Sequence, residues 1–214
     1  MSRRRLCAER LLWIVAASAL AVYGQSLMRS AVYQRYANWS FVQTLNGDPV
    51  SARQFALDLL GRSATSAPSP AANERSPLAS SPWMGRLEIP RIGLSVMINP
   101  DSGRESLARG VGHIEGTATP GGAGNAGIAG HRDTYFRRLG ELRRGDAIRI
   151  VSLDGTHEYV VDEIRIVGPK ATEVLSDTGW PTLTLVTCYP FWVLGPAPKR
   201  YVVSARSTDD SYLE

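Results

Sequence analysis

Thr182-Leu183-Thr184-Leu185-Val186-Thr187-Cys188 is a run of seven β-branched or apolar residues, with no Gly or Pro inside, that ends on a cysteine. Such a composition predicts a buried strand with a thiol at its end. The next stretch, Tyr189 to Lys199, carries Pro190, Pro196, Pro198 and Gly195, which excludes helix and central strand, and a second strand reads from Arg200 to Ala205. If the two strands pair antiparallel, the end of the first lies beside the start of the second and Arg200 stands next to Cys188. Arg206 shares the parity of Arg200, but six residues along a strand place it about 20 Å away. Lys199 projects to the opposite face.

The thiolate is the reactive form of cysteine, and an unassisted thiol titrates near ~8.5, so a nucleophilic Cys needs a base or a charge beside it. Of three histidines, His131 ends a short small-residue strand, Asn125-Ala126-Gly127-Ile128-Ala129-Gly130, and is followed by polar turn formers. It therefore also occupies a strand end. A single buried Cys is usually an inert small hydrophobe, and a lone His or Arg is usually structural. What points to chemistry is the joint placement of the three at strand ends.

The strings Gly130-His131-Arg132-Asp133-Thr134, Thr187-Cys188-Tyr189-Pro190-Phe191 and Gly195-Pro196-Ala197-Pro198-Lys199-Arg200 resemble those of the sortases, membrane-anchored cysteine transpeptidases of bacterial envelopes, and most of all the single-domain class D sortases. The resemblance spans roughly residues 82 to 206. It implies an eight-stranded β-barrel and catalysis by His131, Cys188 and Arg200. It also implies protein substrates bearing a C-terminal sorting motif, cut after a threonine, and an amine on the envelope or on another protein as acceptor.

The residues themselves read as acyl transfer through a thioester. Cys188 attacks a peptide carbonyl, His131 protonates the leaving amine, and Arg200 with backbone N–H groups faces the oxyanion or orients the substrate. Water in place of the amine would make the chain a cysteine endopeptidase. A non-catalytic anchored barrel, a binding module, is the reading furthest away. Around the three residues, His113, Thr187 and Tyr189 are candidate substrate contacts. His113 reads rather more readily as a structural histidine serving loop carbonyls, and Tyr189 with Phe191 as groove wall or as core. Asp133 reads either as orienting His131 or as capping local N–H groups.

The chain's net charge of +4 divides unevenly. Residues 1–81 hold nine Lys/Arg and four Asp/Glu, leaving 15 and 16 for residues 82–214, so the flank carries +5 and the domain −1. A domain of that charge, without aromatics interleaved among basic residues, lacks the footprint of a nucleic-acid binder. Cys7 and Cys188 are too few for a disulfide framework, no Cys/His cluster has zinc-ligand spacing, and no clustered carboxylates suggest a calcium cage. The Gly-rich loop Gly116 to Gly124 lacks the lysine and helix of a phosphate loop. No metal or cofactor is expected.

Arg3, Arg4, Arg5 and Arg10 precede eighteen uncharged residues, Leu11 to Met28, which just reach the ~17–25 that cross a bilayer. The rival, a cleaved signal peptide, leaves too short an apolar region before Ala16-Ala17-Ser18-Ala19. The basic flank predicts the N-terminus inside and the remainder outside. Residues 1–28 thus read as basic flank and anchor. Residues 29–81 read as a helical and low-complexity linker, with an amphipathic helix to Leu45, a short helix from Ser51 to Leu60, and a Pro/Ala/Ser stretch from 62 to 81 that holds the domain off the membrane. Residues 82–214 read as the barrel: strands over 85–90, 92–98, 147–152 and 157–167, the last two around the hairpin turn Asp154-Gly155. Many short strands with no βαβ rhythm give an all-β class and a closed or nearly closed barrel with short helices.

Overall fold

The computed structural model describes residues 3–48, 50–59, 82–193 and 195–209. Eight strands close into a barrel: β1 (Gly85–Ile89), β2 (Leu94–Asn99), β3 (Val111–His113), β4 (Asn125–Ala129), β5 (Ala147–Val151), β6 (Thr156–Val167), β7 (Thr182–Tyr189) and β8 (Lys199–Ser207), in the order β1-β2-β3-β4-β7-β8-β6-β5. The all-β class and the strand count agree with the reading above. Closure leaves no exposed sheet edge. Its interior alternates as period-two patterning requires, with Leu183 and Leu185 of β7, Val203 and Ala205 of β8 and Ile128 of β4 all at most 1% exposed.

β7 lies at the centre of the site-bearing wall. It runs parallel to β4, with Asn125 opposite Thr182 and Ala129 opposite Val186, and antiparallel to β8, with Cys188 opposite Arg200. Its even-numbered side chains face outward, yet Thr182 and Thr184 are buried as well. The segment between β6 and β7, with a 3₁₀ turn at Thr172–Leu175, covers them. Asn125 pins that cover: Nδ2 donates to the carbonyls of Val174 and Ser176, both at 3.1 Å, while Oδ1 accepts from Thr184 Oγ1 at 2.7 Å.

The N-terminal part is helical. Residues Arg3–Asn46 form one continuous helix, α1, with no break at residue 28, and a shorter α2 follows at Ala52–Leu59. An 18-residue window of α1 has mean hydropathy 1.6, which is long and apolar enough to cross a membrane. Its second half lies against the barrel. Ala37 and Phe41 are fully buried with Trp83 and Met97, Gln34 Oε1 accepts the Met97 N–H at 3.0 Å, and Tyr33 donates to Asn99 Oδ1 at 3.2 Å. The expected Pro/Ala/Ser linker lies outside the described residues. The remaining helix, α3 (Arg104–Arg109), occupies the β2–β3 connection.

Candidate active site

Cys188 and Arg200 lie on the adjacent strands β7 and β8, and His131 lies just past the end of β4 on the other side of β7. Cys188 and Arg200 are cross-strand partners, so their Cα atoms lie about 4.5–5.5 Å apart and both side chains leave the same, outward face. The register of β4 on β7 ends at Ala129 opposite Val186, and His131 follows two residues beyond the end of β4, on the side where β7 reaches Cys188. The continuation is enforced by two bonds, Gly130 N–H to the Val186 carbonyl at 3.2 Å and Thr187 Oγ1 to the Gly130 carbonyl at 2.7 Å. Cys188 is a free, partly exposed thiol.

Residues around His131 are fixed from behind. The Phe136 N–H bonds the His131 carbonyl at 3.1 Å and closes a turn, and Phe136 is fully buried. Its ring lies so close to Gly130 that a Cβ there would fall 2.6 Å from it, so the string Gly130-His131 needs glycine for lack of room. Tyr135, in the same turn, donates its hydroxyl hydrogen to the Arg109 carbonyl at 2.9 Å and accepts from Ser30 of α1. Burial pushes its phenol up.

The β7–β8 loop is held by a residue that motif spacing alone does not single out. Arg132 Nη1 donates to the Pro190 carbonyl at 2.8 Å and Nη2 to the Gly195 carbonyl at 2.7 Å, which ties the loop after the nucleophile to the turn after His131. Arg200 Nη1 donates to the carbonyls of Ala197 and Lys199 at 3.2 and 2.9 Å; among the described residues these are its hydrogen bonds, and Nε and Nη2 remain for a ligand. Arg206, opposite Thr182 at the other end of β8, donates to Asp162 Oδ1 at 2.7 Å. That bond holds the Asp162 carboxyl below its usual range, so Arg206 is committed away from the thiol.

The three candidate substrate contacts sit in different surroundings. Thr187 shares the inward parity of Leu183 and Leu185 and is 2% exposed, with its hydroxyl committed to Gly130; it positions the wall and touches no solvent-borne ligand. His113 pairs with Ile128 on the inward side, is buried, and donates from Nε2 to the Ala118 carbonyl at 2.8 Å. It serves the loop, the structural alternative. Tyr189 also faces away from Cys188 and packs with Phe191 and Tyr201 at centroid distances of 5.8 and 6.1 Å. Trp192, 79% exposed beside Tyr189, is the aromatic of this loop that a ligand can meet.

An open groove of about 750 Å³ continues along the outer wall from Thr184 towards Trp180, Glu173 and Arg206. A larger apolar groove, about 960 Å³, lies along α1 and α2, away from the thiol. Among the described residues no group of three His, Cys, Asp or Glu is gathered to hold a metal ion.

Comparison with known proteins places this geometry. The family model described as the sortase domain matches residues 87–208. Sortase D of Bacillus subtilis (strain 168) is 38% identical over 120 residues, 56% of this chain and 61% of the relative. Sortase A of Bacillus anthracis is 30% identical over 125 residues, 56% of this chain and 58% of the relative. The chain thus spans about three fifths of the length of these relatives. Among solved structures, a Clostridium perfringens sortase D5 transpeptidase superposes with a TM-score of 0.55 at 33% identity, over 59% of this chain and 79% of the other. Sortase C-1 of Actinomyces oris superposes with a TM-score of 0.57 at 32% identity, over 62% and 77%.

Proposed function

The chain belongs to the sortase family, and from that premise we propose that it is a membrane-anchored cysteine transpeptidase acting on sorting-motif proteins. The observation that supports this most is the register that puts Cys188 opposite Arg200 on β7 and β8, with His131 just past the end of the neighbouring β4. Cys188 Sγ attacks the scissile carbonyl and its proton passes to His131. The tetrahedral oxyanion is met by the Arg200 guanidinium, whose planar fork offers several donors. His131 gives the proton to the leaving amine, the C–N bond breaks, and the acyl group stays on sulfur as a thioester. An incoming amine then attacks the thioester, loses a proton to the imidazole, and leaves as an amide while the thiolate is restored. A peptide lying extended along β7 would run from Cys188 into the groove beside Thr184, about 13 Å away.

The Leu11 to Met28 part of α1 serves as a single-pass anchor, with the basic flank in the cytoplasm and the barrel outside. The acceptor separates this reading from an endopeptidase. The full chain in detergent, given a peptide library and a primary amine, should form amide-linked products at the amine's expense of free acid. Cleavage that yields only the free acid at every amine concentration would make the enzyme a hydrolase.

A further inference from the structure

The contacts of α1 with the barrel are ordered along the helix. Lowest is Ser30, bonded to Tyr135 of the His131 turn; one turn higher, Gln34 bonds the carbonyl of Arg109 at the end of α3 and the N–H of Met97; another turn higher, Asn38 accepts from Arg86 at 2.7 Å. At 1.5 Å per residue, Ser30 stands about 3 Å beyond Met28, and Asn38 about 15 Å beyond it. Ser30, Gln34 and Asn38 recur every four residues and so form one stripe of a continuous helix. A post bonded along such a stripe, with Ala37 and Phe41 buried beside it, does not let the barrel swing.

From this we infer that the rim of the barrel carrying the His131 turn and α3 rests on the lipid headgroup layer, with α1 as a rigid post. The inference depends on the reading of Leu11 to Met28 as the membrane span. With that span in place, the Tyr135 hydroxyl and the Arg109 carbonyl lie at the level where the apolar run ends. The rim exposes Arg104, Arg137 and Arg109, the last paired with Glu105, and the adjoining turn of α1 exposes Arg35; the excess of cations at this height meets anionic headgroups favourably. The apolar groove lined by Gly24, Met28, Val32, Tyr36 and Phe55 is continuous with the span and leads up to α2. The opposite end of the barrel stands higher along α1: Thr156 pairs with Val151, Val151 with Arg86, and Arg86 bonds Asn38, about 15 Å beyond Met28. The site therefore takes its peptide at the membrane surface.

The test is depth-dependent quenching in vesicles of phosphatidylcholine and phosphatidylglycerol. In a Cys7→Ser, Cys188→Ala background of the full chain, a bimane fluorophore is attached at one of three exposed positions: Leu20→Cys, Arg137→Cys or Thr156→Cys. Thermal melts of each labelled chain establish that the barrel is intact. Acyl-chain nitroxide lipids should quench the label at 20, headgroup nitroxide lipids should quench the label at 137, and neither should quench the label at 156. If the label at 20 is quenched while those at 137 and 156 respond alike, the span is real and the docked rim is overturned. If the label at 20 escapes acyl-chain quenching, the span itself is wrong and the docked rim falls with it.

Discussion

Replacing Thr187 by valine removes one oxygen and very little volume. The lost hydroxyl bonds the Gly130 carbonyl at 2.7 Å from a position 2% exposed, so water has no route to take its place. Leaving a buried acceptor without its donor costs about 1–3 kcal/mol of stability, and an isosteric side chain adds no cavity term. The same bond ties Gly130, which precedes His131, to the residue before Cys188. Where the strand end relaxes by about an ångström to seek another donor, catalysis falls by roughly 10²-fold. Urea unfolding of the purified full chain measures the first effect, and peptide turnover with a soft thiol alkylator at neutral pH measures the second. The expected outcome is a lower unfolding midpoint, a lower kcat and an unchanged KM. A raised KM with kcat intact would make Thr187 a substrate contact, and unchanged stability would remove the Gly130 bond from the account.

Arg200→Lys keeps the charge and loses the planar fork, and should lower kcat by ~10²–10³-fold while the protein stays folded; Arg206→Ala, whose partner is Asp162, should stay within about tenfold of the parent on the same geometric grounds. Equal damage from Arg200→Ala and Arg206→Ala in steady-state kinetics would contradict the β7–β8 register as the basis of the site. Phe41→Ala should cost about 3–5 kcal/mol in thermal unfolding, since the ring is fully buried against Trp83 and Met97; a change under about 1 kcal/mol would mean that α1 does not pack on the barrel. Asp101 accepts from the Ser106 hydroxyl at 2.8 Å and the Gly103 N–H at 2.7 Å, and these bonds hold its carboxyl below the ordinary value. Its contribution is therefore present above the ordinary carboxylate pKa and is lost as pH falls through the lowered one. Melts of the parent and Asp101→Asn should differ at neutral pH and converge in acid, and a gap that widens in acid would reverse that sign.

How legible the site was follows from the kind of signal each residue leaves. The β7–β8 pair was readable because an uninterrupted apolar run, a proline-rich loop and a second run leave few alternatives, and an antiparallel register then sets Arg200 opposite Cys188. The burial of Thr187 is hard to read although parity is available. Leu183 and Leu185 mark the inward face, but Thr182 and Thr184 are buried too under the β6–β7 segment, so burial does not follow the Thr/Leu alternation of the run. That cover hangs on Asn125, a lone polar residue opening a Gly/Ala strand, whose partners lie about fifty residues away. Arg132 looked like an ordinary turn residue because both of its acceptors are backbone carbonyls, which carry no sequence signature. The docking of α1 escaped for a related reason. Its contact stripe of Ser30, Gln34 and Asn38 is polar, and apolar periodicity, the usual sign of a packed helix face, assigns such a stripe to solvent.

The claim that Cys188 is the nucleophile of a thioacyl transfer is tested most directly by intact-mass analysis of the full chain quenched in acid during turnover of a cleavable peptide. The account predicts a mass increase equal to the N-terminal product acyl group, localised to Cys188 and discharged by hydroxylamine or a primary amine. It also predicts that the adduct is absent in Cys188→Ala and accumulates ~10²–10⁴-fold more slowly in His131→Ala. Peptide cleavage that continues in Cys188→Ala, or an adduct that maps to any other residue, would contradict it.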